Sequence, residues 1–232
     1  MIHIYLERGD MMSKKNNKKQ IPQKQKAQKP RKYGLISIIS VCVIVVVALG
    51  IWVLVGGGNA PATSSSDVYY ADIVIRDYGT ITVKLDPQAA PITTENFVKL
   101  AKEGFYDGLT FHRIIEGFMM QGGDPKGNGS GGSDTKIKGE FAANGVNNPL
   151  THTRGAISMA RSKQMDSASS QFFIVHQDSP HLNGQYAVFG YVTKGMEVVD
   201  AVCEAAEPTD NNGTIPSGKQ PVIETVTIRT TD

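Results

Sequence analysis

The sequence predicts a mainly β domain, a closed antiparallel barrel with two helices, preceded by one long apolar segment. Three observations carry that expectation. Many short segments alternate apolar and polar residues, two stretches repeat with helical period, and strands and helices do not alternate as a doubly wound sheet requires.

Taken in order, residues 70–76 and 80–85 alternate around Asp77-Tyr78-Gly79, a hairpin signal. Pro91 opens a helical pattern with Phe97, Leu100 and Ala101 on one face, and Gly104 stops it. Short strands are expected at 109–115, 118–121, 155–160, 171–176 and 187–193. A second helix over about 196–205 puts Met196, Val199 and Val202 on one face, and residues 221–230 close with a further strand. No internal repeat is visible.

The N-terminal region has a different character. Net charge is +2, but residues 1–32 hold ten Lys/Arg and two acids, whereas the remainder holds fourteen bases and twenty acids. The globular part is therefore mildly acidic, which argues against a nucleic-acid partner. Residues 13–32 have almost no apolar content, so 1–32 reads as a disordered basic tail. Tyr33–Val55 follows with 23 uncharged positions, enough to span roughly 30 Å of hydrocarbon. A cleaved signal peptide would carry an apolar core of about 7–15 residues, so an uncleaved transmembrane anchor is the expectation. Nine Lys/Arg between residues 14 and 32 would keep the N-terminus in the cytoplasm and export the rest. Residues 56–67, GGGNAPATSSSD, read as a flexible linker, and the folded domain is expected over 68–232. Glu7-Arg8-Gly9 precedes Met11 and Met12, which suggests a translation start at one of those methionines.

The cysteines, Cys42 and Cys203, lie in unlike settings and suggest neither a disulfide nor a zinc site. His176, Asp178 and His181 have a metal-like spacing, but Pro180 interrupts any helix and no fourth ligand is apparent. Gly127, Gly129 and Gly132 fit a dinucleotide fingerprint, yet no amphipathic helix follows them. No nucleophile elbow surrounds any serine. Asp124, Glu140 and Asp166 read as turn or solvated acids.

The chemistry gathers instead in FHRIIEGFMMQGGD, residues 111–124, where Arg113 precedes an apolar run ending at Gln121. Gln171, Phe172 and Phe173 repeat the pairing of an amide with aromatic rings. A fixed cation, side-chain amides and an apolar cluster, without a nucleophile or base, suit a reaction that moves no proton. A lone arginine is usually a solvated charge and a lone phenylalanine usually core, so the joint pattern carries the weight. His112 reads as a packed, hydrogen-bonded histidine on the face opposite Arg113.

FHRIIEGFMMQGGD, RGAISMA at 154–160, SQFFIVH at 170–176 and Phe189-Gly190 leading into TKGMEVVD resemble cyclophilin-type peptidyl-prolyl isomerases. The similarity covers about Ala71 to Thr230, with the motifs in the family's order; the apolar segment and basic tail lie outside it, and the two readings together describe a membrane-anchored bacterial form. It implies an eight-stranded barrel capped by two helices and rotation about X-Pro bonds, with no cofactor or metal. Carried over by position, Arg113 is catalytic with Gln121 beside it. The proline pocket falls on Phe118, Met119, Phe172 and Leu182, with Phe173 in its floor. Ala160 and the Arg161 backbone match the segment that pairs with the substrate main chain, and Gln171 lies alongside.

Three positions depart from the family pattern. His181 stands where the best-known members have tryptophan, which speaks against tight cyclosporin binding. Tyr186 replaces a pocket histidine, and Arg161 stands where many members have asparagine. The glycine loop at 127–132 is slightly shorter. The implied partners are proline-containing unfolded or partly folded polypeptides, the membrane through one helix, and no nucleic acid, with the protein acting as a monomer. A proline-peptide-binding chaperone or scaffold with little turnover is the alternative.

Overall fold

The computed structural model describes residues 68–230. The tail, the apolar segment and the linker read from residues 1–67 lie outside the described residues. No helix among the described residues is long and apolar enough to cross a membrane.

Eight strands form one antiparallel sheet: β1 (Tyr70–Ile75), β2 (Gly79–Leu85), β3 (Phe111–Ile115), β4 (Met119–Gly122), β5 (Ala156–Met159), β6 (Phe172–Val175), β7 (Val188–Lys194) and β8 (Ile223–Arg229). Two α-helices accompany them, α1 (Pro91–Lys102) and α2 (Met196–Glu204). The strand order is β3-β4-β6-β5-β7-β2-β1-β8. The strand and helix positions match the sequence expectation, although Phe118 falls in the turn before β4 and not in the strand.

Full closure of the barrel does not occur. The edge strands β3 and β8 meet through a single bridge, Thr110 with Val222, and not through a ladder. Pro221, just before β8, has no N–H to extend the pairing, and its carbonyl accepts from Phe111 N–H at 2.9 Å. Farther along β3 the edge is taken by another segment. Ile114 N–H donates to Gly213 O at 2.8 Å and Ile215 N–H donates to His112 O at 3.0 Å. The loop before β8 thus occupies the edge that a closing strand would need.

The β1–β2 turn holds Asp77 at φ 65°, a left-handed conformation that Asp tolerates better than most residues. Helix α1 starts on Pro91, whose missing N–H would be unsatisfied there in any case. Its N-cap, Ala90, offers no side-chain cap. The buried Glu140 does that work from a distant loop, accepting Ile92 N–H at 3.0 Å and Thr93 N–H at 2.7 Å. Glu140 is therefore not a solvated acid: a carboxylate at a helix N-terminus meets both the free donors and the helix dipole.

The strands' two-residue period divides the apolar residues between two clusters. Phe172 and Ile174 of β6 face the main core with Phe97, Tyr106, Phe111 and Phe189. Phe173 and Val175 of the same strand face the other way, with Met119, Ala156 and Val188. Phe172 makes edge contacts with Phe97 and Tyr106 at 5.5 Å and with Phe111 at 5.9 Å between ring centroids. These are favourable aromatic geometries in a completely buried position. Truncation there leaves a void on several rings at once, so Phe172→Ala is expected to lower the free energy of unfolding by about 3–5 kcal/mol. Urea titration of the two proteins measures it.

Candidate active site

Arg113 lies on β3 directly opposite Gln121 on β4, and Gln121 lies opposite Phe173 on β6. Three adjacent strands therefore present a guanidinium, an amide and an aromatic ring on one surface. Cross-strand pairing fixes their spacing. The β3–β4 register shifts between Phe111 and Arg113, a bulge of the kind that re-aims a side chain. His112 sits at that irregularity. It is buried as expected, but among the described residues neither ring nitrogen reaches a hydrogen-bond partner. Burial lowers its pKa and favours the neutral ring.

The guanidinium is held on three sides. Arg113 Nε donates to Asn212 O at 2.7 Å, and one terminal nitrogen reaches Gln121 Oε1 at 3.3 Å and Met119 Sδ at 3.7 Å. Its Cζ lies 5.9 Å from the centre of the Phe118 ring. Burial pushes the Arg113 pKa down, with Tyr186 and Asp210 opposing, and an arginine in that state is still a cation at any working pH.

Behind the guanidinium runs a chain of amides. Gln121 Nε2 donates to Gln171 Oε1 at 2.8 Å. Gln171 Nε2 donates in turn to Gly131 O at 2.7 Å and Gly129 O at 3.1 Å. The glycine loop that supplies those carbonyls is folded around Asp124, which is 1% exposed. Asp124 accepts the N–H groups of Lys126 at 2.8 Å, Asn128 at 3.2 Å and Gly129 at 2.6 Å. Burial alone would raise the Asp124 pKa. The backbone donors of Lys126, Gly131, Asn128 and Gly129 more than offset it and hold the carboxylate below its ordinary value.

A groove opens beside Arg113, lined by Arg113, Phe118, Met119, Gln121, Ala160, Arg161, Phe173, Leu182 and Tyr186. Each of these nine was expected at the site from the sequence. The other three expected residues lie elsewhere. Gln171 stands one hydrogen bond behind Gln121. His181 packs its ring 5.5 Å from Phe118. Phe172 is not a pocket residue, because it alternates with Phe173 and points into the main core.

Several contributors were not anticipated. Asn212 enters through its carbonyl, which no side-chain pattern reveals. His152 stacks behind Phe173 at 5.9 Å and 12° between planes. Its Nδ1 pairs with Asn183 Oδ1 and its Nε2 with Ser158 Oγ, each at 3.0 Å. Since Asn183 Oδ1 only accepts, the network assigns the proton to Nδ1 and leaves Nε2 to accept from the serine hydroxyl. Burial lowers the pKa of this histidine too, with the Asn183 contact opposing. Phe141 packs on Arg161 from outside the groove. Of the residues with metal-like spacing, His176 Nδ1 accepts Gly117 N–H and Asp178 accepts Arg154 N–H.

Residues 70–231 match the family described as cyclophilin type peptidyl-prolyl cis-trans isomerase/CLD. Peptidyl-prolyl cis-trans isomerase B of Bacillus subtilis (strain 168) is 54% identical over 124 residues, covering 53% of this chain and 83% of that protein. A peptidyl-prolyl cis-trans isomerase of Helicobacter pylori (strain J99) is 48% identical over 126 residues, covering 53% of this chain and 75% of that protein. A Cryptosporidium parvum cyclophilin type isomerase, crystallised in the presence of the dipeptide Ala-Pro, superposes with a TM-score of 0.61 at 30% identity, covering 70% of this chain and 99% of that one. The chain belongs to the cyclophilin-type peptidyl-prolyl cis-trans isomerase family.

The Asp124 carboxylate offers a test of how the loop is held. With a folded-state pKa below the unfolded one, it adds stability that is complete above the unfolded value. That stability disappears as pH falls through the folded value, below the ordinary 3.8. Asp124→Asn replaces an acceptor oxygen with a donor facing backbone N–H groups, and is expected to cost about 1–3 kcal/mol at pH 7. The gap between the two proteins should narrow below pH 3.8, as read by denaturant titration across pH.

Proposed function

We propose that the groove takes the proline ring of an X-Pro segment and that Arg113 catalyses rotation about the bond before it. One observation carries the reading: a guanidinium fixed at the edge of an apolar pocket whose nine lining residues include no carboxylate, histidine, serine or cysteine. Such a site is poorly equipped for nucleophilic attack or carboxylate and imidazole proton transfer. It is well equipped for a reaction that breaks no bond.

Amide resonance opposes rotation with a barrier of roughly 18–20 kcal/mol, so uncatalysed X-Pro isomerisation takes tens to hundreds of seconds. At the twisted transition state the proline nitrogen becomes pyramidal and regains its lone pair. An N–H donor aimed at that lone pair binds the twisted state more tightly than either planar isomer, which is the requirement for catalysis. Arg113 supplies the donor, and Asn212 O and Gln121 Oε1 keep it from swinging away. Each ~1.4 kcal/mol gained at the transition state gives about tenfold in rate.

Phe118, Met119, Phe173 and Leu182 grip the ring without competing hydrogen bonds, while Tyr186 forms a further wall. Gln121 aligns Arg113 from one side and is itself oriented by Gln171. Ala160 and the Arg161 backbone pair with the extended substrate chain. Clients are proline-containing polypeptides not yet fully folded, met by a monomer and without a cofactor. The domain acts outside the cytoplasm, tethered by the apolar segment 33–55. The nine basic residues before that segment support this orientation.

Arg113→Ala is expected to reduce kcat/KM on a proline tetrapeptide by about a hundredfold or more, with the circular dichroism of the fold unchanged. Full activity in the variant would refute the mechanism, and peptide binding without turnover in the unaltered protein would favour the scaffold reading. For topology, protease added to intact cells should degrade the domain. Protection until lysis would mean the opposite orientation.

A further inference from the structure

The groove holds a second guanidinium. Arg161 lines it together with Arg113, and it is held as firmly. Its Cζ lies 4.7 Å from the centre of the Tyr186 ring and 4.9 Å from that of Phe141, so the planar group is clamped between two aromatic side chains. Nε and one terminal nitrogen donate to Gln185 O at 3.0 and 2.8 Å, and the other terminal nitrogen donates to Ser162 O at 2.9 Å. Those three bonds commit three of the five N–H donors an arginine carries and leave two.

Neither cation is neutralised from within. Among the described residues no carboxylate forms an ion pair with Arg113 or Arg161. The acid nearest Arg161 in sequence, Asp166, is engaged by Gly139 N–H and Asn144 Nδ2. Asp210, whose charge bears on Arg113, is tied to the backbone of Asn212 and Thr214 and to the Thr214 hydroxyl. Two unpaired positive charges beside one partly desolvated pocket give it a positive potential, although the folded part of the chain carries more acids than bases.

We propose that Arg161 is a specificity-determining residue that selects proline segments carrying a carboxylate side chain at one of the two residues before the proline. The inference rests on the groove being the proline site. The aromatic clamp and the carbonyl bonds remove most of the freedom a surface arginine would lose on pairing, so little ordering cost opposes the contact. The residue adds no step to the isomerisation; it discriminates between clients. A solvent-accessible pair of this kind is worth at most about fivefold in affinity and weakens with salt.

The test measures kcat/KM of the full chain on tetrapeptides that differ only in Glu, Gln or Lys at the residue before the proline, and on a second set varied one residue earlier. In at least one set Glu should exceed Gln by about two- to fivefold and Lys should fall below Gln, mainly through KM. The preference should shrink toward unity at 1 M salt, where the Debye length is about 3 Å. Arg161→Gln should abolish it and Arg161→Lys should retain part of it, read as the ratio between peptides within each protein. Equal rates for Glu, Gln and Lys in both sets would overturn the proposal, as would a preference that survives Arg161→Gln unchanged. Should Arg161→Gln fail to fold, the salt dependence of the unaltered protein and the Lys variant decide. Turnover of the Gln peptide without charge preference removes this inference alone, whereas no turnover of any peptide removes the isomerase reading with it.

Discussion

The two-residue period of β6 is the constraint on which both the core and the groove depend. Because β6 pairs with β4 on one side and β5 on the other, its position and twist are fixed from both edges. Its side chains then have no choice of face: Phe172 and Ile174 build the main core, and Phe173 and Val175 build the apolar base of the groove. Core and site are two faces of the same strand, only one side chain apart. A slip of one residue would exchange Phe172 with Phe173 and ruin both. The dense ring contacts of Phe172 therefore help secure the register that delivers Phe173 to the groove.

The same ladder sets the electrostatic half of the site. Pairing puts Gln121 opposite Arg113, so the amide reaches the guanidinium with no loop between them. From there the restraint runs outward through Gln171 to the carbonyls of Gly129 and Gly131, and ends at the buried Asp124 carboxylate. An anion enclosed by backbone donors shapes a loop whose carbonyls orient an amide, which orients another amide, which aims a cation. Each link is a directional hydrogen bond, so the position of Arg113 is specified well beyond its immediate neighbours. The glycines in this loop have a steric reason: a Cβ on Gly131 would fall 2.0 Å from Asp124 Oδ1.

Much of this was legible in the sequence, for identifiable reasons. Alternation and helical period located the strands and both helices, because burial on one face imposes those periods directly. The groove's lining was legible through the resemblance to cyclophilins that the motifs at 111–124, 154–160 and 170–176 carry, because residues such as Leu182 and Tyr186 show no pattern of their own. Phe172 was misassigned even though the information was present, since adjacent strand residues cannot line the same face. Other features left no trace in local pattern. Barrel closure depended on which segment captured the edge of β3, and Gly213–Ile215 did so through backbone groups that every residue carries. Glu140 caps a helix 47 residues upstream of it, and Asn212 contributes only a carbonyl. Contacts of long sequence separation or of pure backbone character are invisible to composition and period.

A groove lined by no carboxylate, histidine, serine or cysteine also bears on what the site can distinguish. A catalyst whose chemistry needs a single N–H donor and an apolar grip leaves its remaining polar positions free to vary without stopping the reaction. Arg161, Tyr186 and His181 occupy such positions around the grip. Tyr186 supports Arg161 through its ring face and meets the Phe173 ring nearly at right angles, so one aromatic side chain links the charge at the rim to the floor of the groove. On the proposed reading, catalysis and selection are carried by two different arginines. Arg113 is tied to the strand ladder, where its aim is fixed by pairing, and Arg161 is tied to loop carbonyls and rings, where its replacement would alter the rim while leaving the ladder intact.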